Sequence, residues 1–561
     1  MCNSNFEAAR NPSRFFIGKE CVMGRSDQEK GYEALSPFEL KNKLISMAQT
    51  SRERIMLNAG RGNPNWVAIA PREGFFQFGM FALSESQRSP HRPGLGTVAQ
   101  KDGLSKRFMD YIAKNAGLPG IAFLGKIFDY VCSVLKINSD DFLNEMVDAV
   151  LGDHYPTPDR MLELSERIAH KYLEQEMFGN AGIGKFDLFA VEGGTAAMDY
   201  IFTTLSENKL IHKGDKIAIG TPIFTPYIEI PRLNDYELVE LEVKQDENSD
   251  WQYPDSEIEK LADPAVKAFF LVNPSNPTSV SMQQKSLDKI TELVKTRRKD
   301  LIILTDDVYG TFVKGFKSLA AAAPHNTILV YSFSKYFGAT GWRLGVIGIH
   351  EDNIFDKRIA ALPAADKEEL HARYCTVELD PDHMKLIDRM VADSRSVALH
   401  HTAGLSTPQQ VMMVMFALHC LVDKKGDYKK LAQDIVKKRF EALYAAVGVK
   451  APDNQYDARY YTTIDIRDLA KTRYGADFAA YLVKNYEPID FVWCLAAKKS
   501  IVLMDGGGFD APNMSVRVSL ANLNDDAYKA IGKGISDLLA EYHHVWQMTD
   551  KKTEGGKANA A

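Results

Sequence analysis

A lysine, two serines and an arginine fall close together in "SFSKYFGATGWRLG", residues 332–345. Lys335 follows the apolar run "TILVYSFS", which reads as a strand. It therefore stands at the carboxyl edge, where open α/β sheets hold their ligands. An amine fixed there can lose hydration, drop its pKa and serve as a Schiff-base lysine. Ser332, Ser334 and Arg343 surround it with hydroxyls and one permanent charge, a set suited to a phosphate monoester dianion. A lone lysine after a serine is more commonly a surface residue, so the other segments must decide.

Upstream, "LFAVEGGTAAMDYIFTTL" reads as strand, glycine turn and helix. The turn holds Gly193, Gly194 and Thr195, whose N–H groups would face an anion with the helix dipole assisting. "LVNPSNPTS" ends a strand in a polar turn with Asn276, and "LIILTDDVYG" ends another with Asp306 and Tyr309. Phe224 in "GTPIFTPY" is placed to lie flat on a planar ring. Each segment alone has an ordinary reading: a common Gly-Gly turn, a turn-forming asparagine, a helix cap. Together they describe one ligand. It has a phosphate, an aldehyde for Lys335, a basic ring nitrogen for Asp306 and a phenolic oxygen for Asn276 and Tyr309. Pyridoxal 5′-phosphate has these groups, and Asp306 would keep its ring nitrogen protonated so that the ring acts as an electron sink.

The elements that must position these residues lie mainly between 185 and 350. Short apolar runs such as "KIAIG", "AFFLVN", "LIILTDD" and "LGVIGI" alternate with helical stretches there. That rhythm predicts an α/β fold whose mostly parallel sheet is covered on both faces. "SPFELKNKLISMAQ" reads as a capped helix, "YYTTIDI" and "MSVRVSLA" as strands of a later α+β domain, and 72–150 as helical. At 561 residues the chain should divide into two or three domains. Net charge of −6 gives no basic footprint for nucleic acid. Six scattered cysteines suit free thiols in a reducing compartment and no cysteine-built metal site. "MCNSNFEAARNPSRFF" has no apolar signal core, and "VMMVMFALHCLV" is too short to span a bilayer, so a cytoplasmic protein is expected.

The order G-G-T, P-I-F, N-P-x-N-P-T, D-D-x-Y, S-x-S-K, G-W-R-L-G and R-V-S-L resembles the fold-type I, class I/II aminotransferases. The resemblance implies a large domain with a seven-stranded sheet between helices, and a smaller α+β domain. It makes Lys335 the Schiff-base lysine and proton shuttle, and Arg517 in "SVRVSL" the clamp on the substrate α-carboxylate. Gly62 in "GRGNPNW" matches the loop beside that carboxylate. Tyr155 in "HYPTPDRM" matches a tyrosine that reaches a neighbouring subunit's cofactor phosphate, which implies at least a homodimer.

Two insertions, at 72–150 and 361–400, interrupt the usual plan. Chain length, both insertions and the arginine in "NAGRGNPNW" resemble the aspartate 4-decarboxylases, which are also aspartate aminotransferases. The implied layout is an arm and start of the small domain (1–71), the first insertion, the cofactor domain (151–360), the second insertion, a C-terminal small domain (401–545) and a flexible tail (546–561). The implied reaction converts L-aspartate to L-alanine and CO2, with transamination to 2-oxo acids as a side activity. A larger homo-oligomer, a dodecamer, is implied as well. Lys41 and Arg61 are candidates for gripping the β-carboxylate; otherwise one is a solvated helix lysine and the other pairs with an acid. "IAFLGKIFDYVCSVLKI" either packs in its own subunit or forms an interface between dimers. The rival readings are a plain aspartate or aromatic aminotransferase, and a ligand-sensing regulator, for which the N-terminus has no DNA-binding pattern.

Overall fold

The computed structural model describes Tyr32 and residues 35–49, 55–88, 92–229, 238–397 and 404–558. The expected arm over the first thirty residues lies outside them. Among the described residues there are twelve strands: β1 (Leu57–Asn58), β2 (Phe186–Val191), β3 (Lys216–Thr221), β4 (Val239–Lys244), β5 (Val266–Val272) and β6 (Ile302–Asp306). They continue with β7 (Thr327–Ser332), β8 (Gly345–His350), β9 (Tyr461–Asp465), β10 (Ile501–Val502), β11 (Met504–Asp505) and β12 (Ser515–Ser519).

Seven of these strands form one sheet in the order β2-β8-β7-β6-β5-β3-β4. Only β8 runs against its neighbours, pairing antiparallel with both β2 and β7. The central strands alternate their side chains between two cores, as a pleat requires. Phe270 and Leu304 enter the larger core, whereas Phe269 and Ile303 pack with Leu287, Ile290 and Leu293 of helix Gln284–Thr296. Near-continuous apolar strands thus result from burial on both faces, as expected.

The helices of the first insertion do not form a separate module. Ile69–Ser86, Leu104–Lys114, Ile121–Ser133 and Ser139–Leu151 share the larger core with helix Thr407–Val422. Ile121, Phe123, Leu124, Ile127 and Val131 are all buried there, so the greasy segment packs within its own subunit. Thr407–Val422 contains the run "VMMVMFALHCLV", and every residue from Val411 to Leu418 is buried. A helix apolar all round must be enclosed on all sides. For that reason it sits in the large core, and the expected small-domain boundary at 401 falls before an element that belongs elsewhere.

The second core gathers helix Pro37–Gln49, the sheet β11-β12-β9, the β1/β10 pair and the C-terminal helices. The last helix runs Asp525–Ala558, which corrects the expected tail from 546. The physical reason is Trp546, whose ring packs 5.6 Å from that of Phe478 and holds the helix past the predicted break. Among the described residues no helix is long and apolar enough to cross a membrane, and Cys132, Cys375, Cys420 and Cys494 are free thiols.

Candidate active site

The carboxyl ends of β2, β3, β5, β6 and β7 deliver one residue group each to a common floor. β6 ends at Asp306, which is buried; Tyr227 Oη donates to its Oδ2 at 2.8 Å and the Val308 N–H to its Oδ1 at 3.1 Å. Burial pushes this carboxyl up to about 6, against the downward pull of those donors and of the Lys335 charge. The next residue, Asp307, turns the other way along the strand, where Thr305 Oγ1 donates to it at 2.5 Å. Sequence alone does not separate these two acids; the alternation of strand side chains does.

β2 leads into the glycine turn. Gly193 has φ +95°, and a Cβ there would lie 2.6 Å from Arg343 Nη2. A Cβ on Gly194 would lie 3.2 Å from Tyr227 Oη and 3.5 Å from Asp306 Oδ2. The turn therefore links the arginine to the acid. Gly194 and Thr195 open helix Gly194–Glu207, whose first N–H groups have no acceptor within the helix. Arg343 is itself held in the left-handed region, φ +56°, with its guanidinium donating to the Thr340 and Glu192 carbonyls at 2.8 and 3.1 Å. At the end of β7, Ser332 Oγ donates to Ser334 Oγ at 2.9 Å, and both are buried. Phe224 lies edge-on to Tyr227, ring centroids 5.3 Å apart.

Over this floor sits a roof from distant segments. Lys335 Nζ donates to the Gly62 carbonyl at 3.2 Å, and Tyr460 Oη donates to the same oxygen at 2.8 Å. Gly62 has to be glycine: a Cβ would collide with Tyr461 Oη and approach Lys335 Nζ at 3.3 Å. Arg517 is buried. Its Nη1 donates to Asn276 Oδ1 at 3.2 Å, its Nη2 donates to the Gly60 carbonyl at 2.7 Å and contacts Met504 Sδ at 2.9 Å, and its Nε has no hydrogen-bond partner among the described residues. The guanidinium lies 4.4 Å from the Tyr461 ring and 4.9 Å from that of Phe509. Tyr461 Oη and Tyr309 Oη are 3.0 Å apart. Lys41 approaches from helix Pro37–Gln49, its Cδ 3.5 Å from where a Gly60 Cβ would be. Burial lowers its amine's pKa, and the Arg61 and Arg517 charges lower it further.

The structure thus brings together Lys335, Asp306, Tyr309, Gly62, Asn276, Arg517, Lys41 and Arg61, and joins the glycine turn to Arg343. Tyr155 is 72% exposed on the single chain. Sequence reasoning passed over Tyr227, Tyr460, Tyr461 and Met504. Tyr227 had a signal, since it follows Phe224 by one helical turn. Pyridoxal phosphate fits these residues. A buried acid would meet its ring nitrogen, and a glycine turn that a Cβ would fill would meet its phosphate, while the Nε of the buried Arg517 has no partner among the described residues.

The family model "Aminotransferase class I and II" matches residues 144–534. A Pseudomonas sp protein, "Bifunctional aspartate aminotransferase and L-aspartate beta-decarboxylase", is 49% identical over 521 residues, 92% of this chain and 98% of its own length. "Probable aspartate/prephenate aminotransferase" of Aquifex aeolicus is 25% identical over 64% of this chain and 89% of its own. Among solved structures, the aspartate aminotransferase of Rhizobium meliloti superposes with a TM-score of 0.57 at 15% identity, covering 92% of this chain and 99% of its own. That likeness shows the fold. The chain therefore belongs to the class I and II aminotransferases, pyridoxal phosphate enzymes of fold-type I, and within them to the aspartate 4-decarboxylase branch.

Proposed function

We propose that this chain decarboxylates L-aspartate at its β-carbon, releasing CO2 and L-alanine, and transaminates aspartate with 2-oxo acids as a side activity. The observation that carries the reading is the meeting of Lys41 and Arg517 at Gly60, next to Arg61: Lys41 Cδ lies 3.5 Å from where a Gly60 Cβ would be and Arg517 Nη2 donates to the Gly60 carbonyl at 2.7 Å, gathering cations for a dicarboxylate. The end-to-end similarity to the Pseudomonas bifunctional enzyme, insertions included, supports it.

When bound, pyridoxal phosphate supplies an aldehyde for the substrate amine and a protonated ring that takes up electrons. The chain's own residues do the rest. Arg517 and Asn276 fix the α-carboxylate, and the buried guanidinium acts at low dielectric, where its charge counts most. Lys335 Nζ, held at the Gly62 carbonyl, is the base that removes the Cα proton and the acid that returns one. Asp306, with Tyr227 Oη donating to its carboxylate, would hold the ring nitrogen of the cofactor in its protonated form.

Lys41 and Arg61 recognise the β-carboxylate. A tight bidentate clamp would stabilise that carboxylate and oppose its loss as neutral CO2. Lys41 is a half-buried single amine, which attracts the group without clamping it.

The active unit in this reading is a homodimer, with the exposed Tyr155 reaching the other subunit's phosphate site. Ile69, Phe76, Met80 and Leu83 form an outward apolar stripe along one face of helix Ile69–Ser86, each about half or more exposed. Such a stripe supports a larger homo-oligomer, and we read it as a dodecamer in the cytoplasm. The test is to incubate the pyridoxal phosphate-loaded protein with L-aspartate alone. Sustained, near-equal release of CO2 and alanine is expected. A single stoichiometric burst of oxaloacetate, then silence until a 2-oxo acid is added, would make it a plain aminotransferase.

A further inference from the structure

Lys335 sits in a tight turn: the Gly338 N–H donates to the Lys335 carbonyl at 3.4 Å and the Ala339 N–H to that of Ser334 at 2.9 Å. The carbonyls of the three following residues are taken up by Trp66 and Ala68, just before the first insertion, by Arg72 at its start and by Tyr428 of helix Asp427–Val447. Trp66 Nε1 donates to the Tyr336 carbonyl at 3.2 Å, and Tyr428 Oη donates to the same oxygen at 2.7 Å. The Ala68 N–H donates to the Phe337 carbonyl at 3.1 Å. Arg72 Nη1 donates to that carbonyl at 3.1 Å and to the Ala68 carbonyl at 2.7 Å, while its Nη2 donates to the Gly338 carbonyl at 2.7 Å.

Two features make this a keyed joint and not incidental packing. Gly338 has φ +60°, and any Cβ there would collide with the Trp66 carbonyl, so the two backbones are in direct contact. Arg72 is a half-buried cation that, among the described residues, forms no ion pair with a carboxylate; its charge is directed into three carbonyls and lies 5.1 Å from the Phe416 ring. Burial lowers its pKa, so the site holds a charge at a desolvation cost. An arginine fork is the side chain that can hold two neighbouring carbonyls in fixed geometry.

We propose that Arg72, at the start of the helical insertion, is a positioning residue for Lys335: it clamps the backbone of the lysine turn and so sets the amine's reach. The insertion then has a role in the chemistry in addition to any in assembly. The proposal rests on the assignment of Lys335 as the lysine that holds the cofactor.

The experiment compares Arg72→Gln, Arg72→Lys and Trp66→Phe as pyridoxal phosphate-loaded enzymes, assayed for the transamination half-reaction with aspartate as well as for CO2. The expected result for Arg72→Gln is a kcat lower by roughly tenfold to a hundredfold, the scale set by small misplacements of a reacting group, with KM within about twofold. The pH midpoint of the cofactor's visible absorbance should shift with it. Arg72→Lys should recover only part of both, and Trp66→Phe, which removes one donor to Tyr336, should give a smaller change of the same kind. A lowered melting temperature with kcat and the absorbance midpoint both unchanged would overturn the proposal and leave Arg72 as packing only. Because the absorbance midpoint needs no CO2 release, failure of the decarboxylase reading would leave this test intact.

Discussion

The floor and the roof of this site are built by opposite strategies. The floor comes from strand ends of one sheet, each bringing a short local motif: the glycine turn after β2, Asp306 on β6, Ser332 and Lys335 after β7. The roof comes from four stretches far apart in the chain, at 37–49, 58–62, 460–463 and 504–517, with the rings of Tyr461 and Phe509 against a buried arginine. A floor of this kind is preformed by the sheet. A roof of this kind has its parts fixed only once the second core has packed against the first. The difference assigns tasks: the floor holds what stays, and the roof holds what comes and goes.

The largest effect should come at the seam, where Lys335 belongs to the floor and is held by Gly62 of the roof. Lys335→Ala is expected to lower kcat by about 10⁴ or more, since it removes both the amine that takes the aldehyde and the proton carrier. Single-turnover kinetics with aspartate check this. A loss of only tenfold would mean that another base acts.

The roof's own effect comes next. Arg517→Gln leaves the site without its buried charge and should lower kcat/KM for aspartate by about 4 kcal/mol, roughly a thousandfold, within the range for truncating a buried charged partner. Pyridoxal phosphate affinity should stay within about twofold. If cofactor affinity fell in parallel with kcat/KM, the division between floor and roof would be wrong.

Asp306 tests the floor through pH. In the folded apo chain burial raises its carboxyl to about 6, above the ordinary aspartate value. The folded state therefore holds this proton more tightly than the unfolded state, and stability falls as pH rises from about 4 to about 6. The loss amounts to about 3 kcal/mol. Asp306→Asn should remove that part of the slope in melting or denaturant curves. Loading with pyridoxal phosphate should also remove it, because a ring cation beside the carboxylate favours its charged form. Asp307, raised to about 7 by burial and facing the other way, supplies a control slope that neither change should abolish.

How much of this could be read from residues alone follows the same division. Motif residues on the floor are adjacent in sequence to the strands that carry them, so an apolar run followed by Gly-Gly-Thr or Ser-x-Ser-Lys was enough to locate them. Tyr227 was passed over although it lies three residues from Phe224, because its task depends on which way Asp306 points. Tyr460, Tyr461 and Met504 had no local signal at all. Inside "YYTTIDI" the two tyrosines look like ordinary strand residues, and only the pairing of β9 with β12 sets Tyr461 against Arg517. The helix Thr407–Val422 was misplaced for a related reason: an apolar run announces burial but not the core that receives it.

The smallest and sharpest test compares two hydroxyls, one on each side. Tyr227→Phe and Tyr461→Phe each remove a single oxygen and keep the ring, so each should cost about 1 kcal/mol, a factor of roughly five. They should differ in what they change. Tyr227 donates to Asp306, so its loss should weaken pyridoxal phosphate binding and raise the Asp306 carboxyl further, extending the apo slope above about pH 6, with KM for aspartate unchanged. Tyr461 keeps its ring over Arg517 without the hydroxyl but leaves Tyr309 without its partner, so kcat/KM for aspartate should fall while cofactor affinity and the apo slope stay put. Measuring both constants for both variants decides it. If the two substitutions move the same constant by the same factor, floor and roof act as one network, and the tyrosine pair would be the wire between them.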